Sequence, residues 1–66
     1  MRIKVNGQDL ELEEGLSVQD LISSRGLAKS AVIVELNQFI IKRELWPDTR
    51  FKANDNLEII SILGGG

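Results

Sequence analysis

A chain with no cysteine and no histidine has few routes into covalent chemistry. It lacks the thiolate and imidazole nucleophiles, the ordinary proton shuttle of neutral pH, disulfides and the usual zinc ligands. Ser17, Ser23, Ser24, Ser30 and Ser61 offer hydroxyls, but no histidine can take their proton and no Ser-x-x-Lys spacing supplies a lysine instead. Among the acids, Glu11, Glu13, Glu35 and Glu58 fall at strand positions expected to face solvent, and Asp20 falls at a helix start. They read as dispersed surface charges, not as an acid and base sharing a cleft. Arg25, Lys42, Arg43, Arg50 and Lys52 read as a solvated face, and Trp46 with two phenylalanines is too little for a base-stacking platform. Trp46 is expected to pack against the sheet.

What remains is the end of the chain. Leu57-Glu58-Ile59-Ile60-Ser61-Ile62-Leu63 runs directly into Gly64-Gly65-Gly66. Three residues without a Cβ reach about 10 Å beyond the last packed residue and can enter a slot too narrow for any side chain. The only group they deliver is a carboxylate. With an ordinary pKa of about 3.5 it is ionised at neutral pH, and so is a poor electrophile until it is esterified or adenylated. The chain has no phosphate-binding loop, so a partner must supply that activation. If Leu57 and Ile59 point to the core, strand alternation turns Glu58, Ile60 and Ile62 outward, just upstream of the tail. Two exposed isoleucines there make a candidate protein-docking patch.

The elements that must position this end follow from the hydrophobic periods. Met1 to Asn6 alternates with Ile3 and Val5 on one face, Asn6-Gly7 is a tight-turn signal, and Asp9 to Glu13 alternates again, giving a β-hairpin. Ser17 and Asp20 have capping-box spacing ahead of a helix beginning at Val18. Its apolar stripe is Val18, Leu21 and Ile22, and Gly26 stops it. Ala31 to Leu36 is a dense, β-branched run expected to be a central strand, turned by Asn37-Gln38 into a short strand over Phe39 to Ile41. Lys42 to Trp46 reads as one helical turn ended by Pro47. Pro47 to Asn56 is polar and turn-rich, and Leu57 to Leu63 is the last strand. The order predicts an α+β fold, a mixed sheet of about five strands packed on one helix, with residues 1–66 forming one domain that ends in a flexible tail over 63–66.

Composition narrows the class. Sixty-six residues cannot hold two cores. A net charge of -2 has the wrong sign for gripping a phosphate backbone, so no nucleic-acid partner is expected. No apolar run approaches a membrane span, and Met1 leads into a charged, alternating segment and not a signal peptide, so no membrane partner and a cytoplasmic location are expected.

The chain closely resembles the ubiquitin-like sulfur carriers, and among them the carriers of thiamine biosynthesis. The resemblance covers the whole chain. It rests on the Asn6-Gly7 hairpin, Val34-Glu35-Leu36-Asn37, Arg43 followed by Trp46, Asn54-Asp55 before the last strand, and the closing Gly65-Gly66. It implies a ubiquitin-like β-grasp fold and a carrier cycle at Gly66. In that family an adenylating, E1-like activating enzyme (ThiF-type) uses ATP to adenylate the terminal carboxylate. A persulfide sulfur donor then attacks the acyl-adenylate, and the resulting thiocarboxylate hands its sulfur to thiazole synthase (ThiG-type). Carried onto this sequence, Gly66 bears the adenylate and then the sulfur. Gly64 and Gly65 let the tail thread, Ile60, Ile62 and Glu58 dock partners, and Arg43 and Trp46 belong to fold or docking. The chain itself would bind no cofactor or metal and would be a protein co-substrate, not an enzyme. Two alternatives stand beside this: a carrier for molybdopterin synthesis or transfer-RNA thiolation, and a ubiquitin-like binding module whose tail is never activated.

Overall fold

The computed structural model describes residues 1–62. Leu63, Gly64, Gly65 and Gly66, and with them the tail expected over 63–66, lie outside the described residues. Strand β1 (Arg2–Val5) pairs antiparallel with β2 (Gln8–Glu11), Ile3 opposite Leu10 and Val5 opposite Gln8. Asn6 and Gly7 both have positive φ, 50° and 84°. That double left-handed turn matches the twist of a two-residue hairpin, and Asn-Gly is the pair that adopts it at least cost. The second strand ends at Glu11, two residues before the predicted end, although Leu12 N–H still donates to Met1 O at 2.8 Å.

Helix α1 (Val18–Ser24) starts where the capping box predicts. Asp20 N–H donates to Ser17 Oγ at 3.1 Å, and Ser17 N–H donates back to the Asp20 carboxylate at 3.0 Å. At the other end Gly26 (φ +71°) turns the chain. Its N–H reaches Ser23 O at 3.0 Å and Leu27 N–H reaches Ile22 O at 3.3 Å, a Schellman closure that a residue with a Cβ would strain. Val18, Leu21 and Ile22 are all buried, so the predicted stripe is the face against the sheet.

Strand β3 is Val32–Leu36, because Ala31 belongs to a preceding 3-10 turn, Lys29–Ala31. Asn37 and Gln38 form a second turn of positive φ, 52° and 74°, into β4 (Phe39–Ile40). Ile41 lies beyond that strand, while its N–H still donates to Val34 O at 2.9 Å. The predicted helical turn is a 3-10 segment, Arg43–Asp48, and Pro47 sits inside it where the sequence suggests an end. Leu45 N–H bonds to Lys42 O and Thr49 N–H to Trp46 O, so the ladder does not call on the proton proline lacks.

Strand β5 (Asn56–Ser61) lies parallel to β1 and antiparallel to β3, in the sheet order β2-β1-β5-β3-β4. This mixed five-stranded sheet on one main helix is the expected β-grasp. β3 is an interior strand as expected, paired with β5 on one side and β4 on the other, while the middle place in the order belongs to β5. Among the described residues the sheet is covered on one face only, so apolar density within a strand does not report its place in the order. No helix among the described residues is long and apolar enough to cross a membrane.

The core holds Ile3, Val5, Val18, Leu21, Ile22, Val32, Val34, Trp46, Phe51 and Leu57. Phe51 comes from a stretch that reads in sequence as polar turn. Its N–H bonds to Leu16 O, and the adjacent Arg50 bridges Ser17, which pins the stretch beneath α1. Asp55 is also buried, at 4% exposure, and fully used. It accepts from Lys52 N–H at 2.7 Å and from Asn37 Nδ2 at 3.0 Å, while Asn37 Oδ1 accepts from Asn56 N–H at 2.9 Å. The β3–β4 turn and the start of β5 are thereby locked together. Trp46 is 0% exposed, with its indole N–H donating to Ile41 O at 2.9 Å, so burial leaves no polar atom of the ring unsatisfied. Arg43 donates to Lys29 O at 2.6 Å and Val32 O at 3.0 Å. The Arg-x-x-Trp pair is therefore a structural one, a bolt and a plug at the same sheet edge.

Three outcomes are expected from this packing and capping. Trp46→Ala should cost about 3–5 kcal/mol, comparable with the whole stability of a domain this small at roughly 0.05–0.15 kcal/mol per residue. Urea unfolding should find that variant largely unfolded where the parent is folded. Ser17→Ala should cost about 1 kcal/mol. The Ser17 backbone N–H first, and its hydroxyl second, hold the Asp20 carboxyl below the usual range. A depressed folded pKa gives stability that is present above the unfolded aspartate value of about 3.9 and is lost as pH falls through the folded value. Acid titration of Asp20→Asn should therefore show a shallower loss of thermal stability below about pH 4 than the parent shows.

Candidate functional site

Strand β5 is the element on which the site rests, because it leads out of the sheet toward the glycines. Its alternation is as predicted. Leu57 is fully buried and Ile59 half-buried on the helix-facing side, while Glu58, Ile60 and Ile62 turn to the open face, the two isoleucines 41% and 45% exposed. Hydrogen bonds hold the strand on both sides. Ile59 N–H donates to Asn6 Oδ1 at 2.8 Å, Asn6 N–H donates to Leu57 O at 2.9 Å, and Ile62 N–H donates to Ala31 O at 3.0 Å. The chain is thus tied to its neighbours as far as Ile62. Gly64, Gly65 and Gly66, the residues assigned the chemistry and the threading, lie outside the described residues.

Cross-strand register adds residues that sequence reading does not gather. Ile33 lies directly opposite Ile60, Glu35 opposite Glu58, and Ile40 opposite Glu35, all on the open face. Ile40 is 66% exposed, and Ile33 and Glu35 are half-buried. The patch is therefore broader than Ile60 and Ile62, running across β5, β3 and β4. In sequence Ile33 reads as part of a buried run. Its alternation with Val32 and Val34 is the available signal, masked because all three residues are β-branched and apolar. The acids read as dispersed, yet Glu35 and Glu58 face each other across adjacent strands. Beyond β3 the open face gives way to a cavity of about 410 Å³, lined in part by Ile33, Ile40, Ile41 and Trp46.

Several of the other polar side chains are structural. Ser17 caps α1, Ser23 accepts from Gln19, and Ser24 donates to Leu21 O. Arg43 and Arg50 both donate to main-chain carbonyls, Arg50 to Gly15 O at 2.7 Å. Among the described residues no cluster of three or more acids could hold a metal ion. What the arrangement can do is mechanical: it fixes a central strand, displays an apolar and acidic face beside it, and sends the chain onward from that strand.

Comparison with known proteins agrees with this architecture. Residues 3–66 match the family model described as the ThiS family. The sulfur carrier protein ThiS of Bacillus subtilis is 34% identical over 65 residues, covering 97% of this chain and 98% of that one. The crystal structure of the thiamine biosynthesis protein ThiS from Geobacter metallireducens superposes with a TM-score of 0.84 at 35% identity, with both chains covered completely. A thiazole synthase of Magnetococcus marinus is 29% identical over 66 residues, which are all of this chain and 20% of that protein. With an open-faced β-grasp sheet, a central strand leading to three glycines and a family match running through them, the chain belongs to the ThiS family, the sulfur carriers of thiamine biosynthesis.

Proposed function

We propose that the chain carries sulfur as a thiocarboxylate on Gly66 for assembly of the thiazole of thiamine. The observation that carries this is the family match through residues 3–66, which includes the closing glycines. The chemistry it implies suits a chain without cysteine. A carboxylate oxygen of Gly66 attacks the α-phosphorus of ATP on an E1-like activating partner of ThiF type, and pyrophosphate leaves. A donor persulfide then attacks the acyl carbon, AMP leaves, and an acyl disulfide forms. A second thiol reduces its S–S bond and frees the thiocarboxylate. The sulfur is now soft and nucleophilic where the oxygen was not, and it passes to thiazole synthase. That last partner is supported by the stretch of the Magnetococcus thiazole synthase that matches this whole chain. ATP is consumed by the activating enzyme; this chain is its protein co-substrate and holds no cofactor. The cycle belongs in the cytoplasm, where ATP and reducing thiols are both available.

In this cycle Gly65 and Gly64 thread the tail into two different active sites, and Ile60, Ile62 and Glu58 meet the partners. Incubation with the activating enzyme, ATP and a persulfide donor should replace one oxygen by sulfur, read by intact-protein mass spectrometry and mapped to Gly66. Deleting Gly66 should abolish the shift without changing the melting temperature, whereas an inert binding module would show no shift in either protein. Gly65→Ala should slow activation on the order of 10²-fold, the cost of displacing a reacting group by about an ångström, with folding unchanged. Full-rate activation of Gly65→Ala would count against threading.

A further inference from the structure

On the open face of the sheet the charges follow a rule with one exception. Between β1 and β2 the opposed pairs have opposite signs: Arg2 faces Glu11 and Lys4 faces Asp9, each closed by an ion pair at 3.2 Å. Between β3 and β5 the opposed pair is Glu35 and Glu58, like with like. Among the described residues no lysine, arginine or amino terminus comes within ion-pair distance of either. Directly opposed carboxylates on a sheet repel, with Cβ atoms only about 5 Å apart. The free carrier therefore holds a charge pair without a basic partner at one end of its apolar patch, with Ile33 and Ile60 as the next opposed pair on the same face and Ile40 across from Glu35.

A partner that packs on Ile33, Ile60 and Ile40 lies directly beside the two glutamates, one opposed pair along the same face. Burying unpaired carboxylates would oppose binding strongly. Resting on the carrier function proposed above, we infer that Glu35 and Glu58 together form a receptor for a basic side chain of the adenylating enzyme, an arginine or lysine that bridges both carboxylates while apolar side chains around it pack on the isoleucines. An arginine fits best, since its planar fork can donate to two carboxylates at once and is weakly hydrated. The cavity of about 410 Å³ beside Ile33 and Ile40 gives room for one of the flanking apolar side chains. The adenylating enzyme is the first partner the carrier meets in the proposed cycle, and docking there relieves the repulsion. The repulsion also disfavours a second copy of this chain on the same face, which would bring four carboxylates together.

This makes a pair of expectations that a purely structural role would not produce. Glu58→Gln removes repulsion in the free carrier, so its melting temperature should rise by about 1–5 °C. The same change removes half of the receptor, so the KM for the carrier in ATP–pyrophosphate exchange with its cognate adenylating enzyme should rise roughly 3- to 10-fold at unchanged kcat. Glu35→Gln should behave alike. Raising ionic strength should raise KM for the parent and move it much less for the double variant Glu35→Gln/Glu58→Gln. Glu11→Gln, which removes one acid from the paired end of the same face, should leave KM unchanged. Normal exchange by the parent with KM unmoved in Glu58→Gln, or moved equally in Glu11→Gln, overturns the receptor and leaves the carrier function standing. A parent chain that supports no exchange at all overturns the carrier function and the receptor with it.

Discussion

The seating of β5 between β1 and β3 is the constraint on which the other features depend. A strand near the end of the chain occupies the middle of the sheet, parallel to the first strand on one side and antiparallel to the third on the other. Central strands are held by two ladders, so β5 is fixed from both sides. Polar side chains at its start reinforce the placement. Asn37 and the buried Asp55 lock the entry to the strand to the β3–β4 turn, and Asn6 accepts a proton from Ile59 farther along. For a chain whose proposed chemistry sits at its last residue, a rigid strand immediately upstream is the mount from which that residue is presented.

Beneath the mount the core is small and depends on few side chains. Trp46 is the largest, and it is brought inside by a 3-10 segment that carries a proline and is bolted to the sheet edge through Arg43. Its indole proton goes to a main-chain carbonyl, so the largest hydrophobic group is buried with nothing unsatisfied. Phe51 enters from an otherwise polar stretch and closes the space under α1. A domain of this size has little stability to spare. A compact core on one face nevertheless leaves the other face of the sheet open among the described residues.

That open face divides in two. The half built from β1 and β2 is balanced, acid against base, and the half built from β5, β3 and β4 is apolar with two facing glutamates. The division places the unbalanced half around the strand that leads toward Gly66, so the proposed recognition and the proposed delivery share one element. Specificity on a shared fold resides in such surface side chains.

The local elements are legible in the sequence because each rests on neighbours within a few residues. Asn6-Gly7 announces its hairpin, Ser17 and Asp20 announce the helix start, Gly26 announces its end, and alternation assigns Glu58, Ile60 and Ile62 to one face. The proposed chemistry starts from an elimination, since a chain without cysteine or histidine offers little but a carboxylate, and the family's motifs are legible as a pattern. Long-range pairing is not. That β5 takes the middle of the sheet, that Ile33 stands opposite Ile60 and Glu35 opposite Glu58, that Asp55 is buried and Phe51 belongs to the core, all depend on contacts between residues distant along the chain. Periodicity states which face a side chain takes within its own strand, but strand order and register are set by which arrangement buries the most apolar surface while satisfying the buried polar groups. Only the tertiary structure decides that, because the free energy belongs to the assembled sheet and to no single segment.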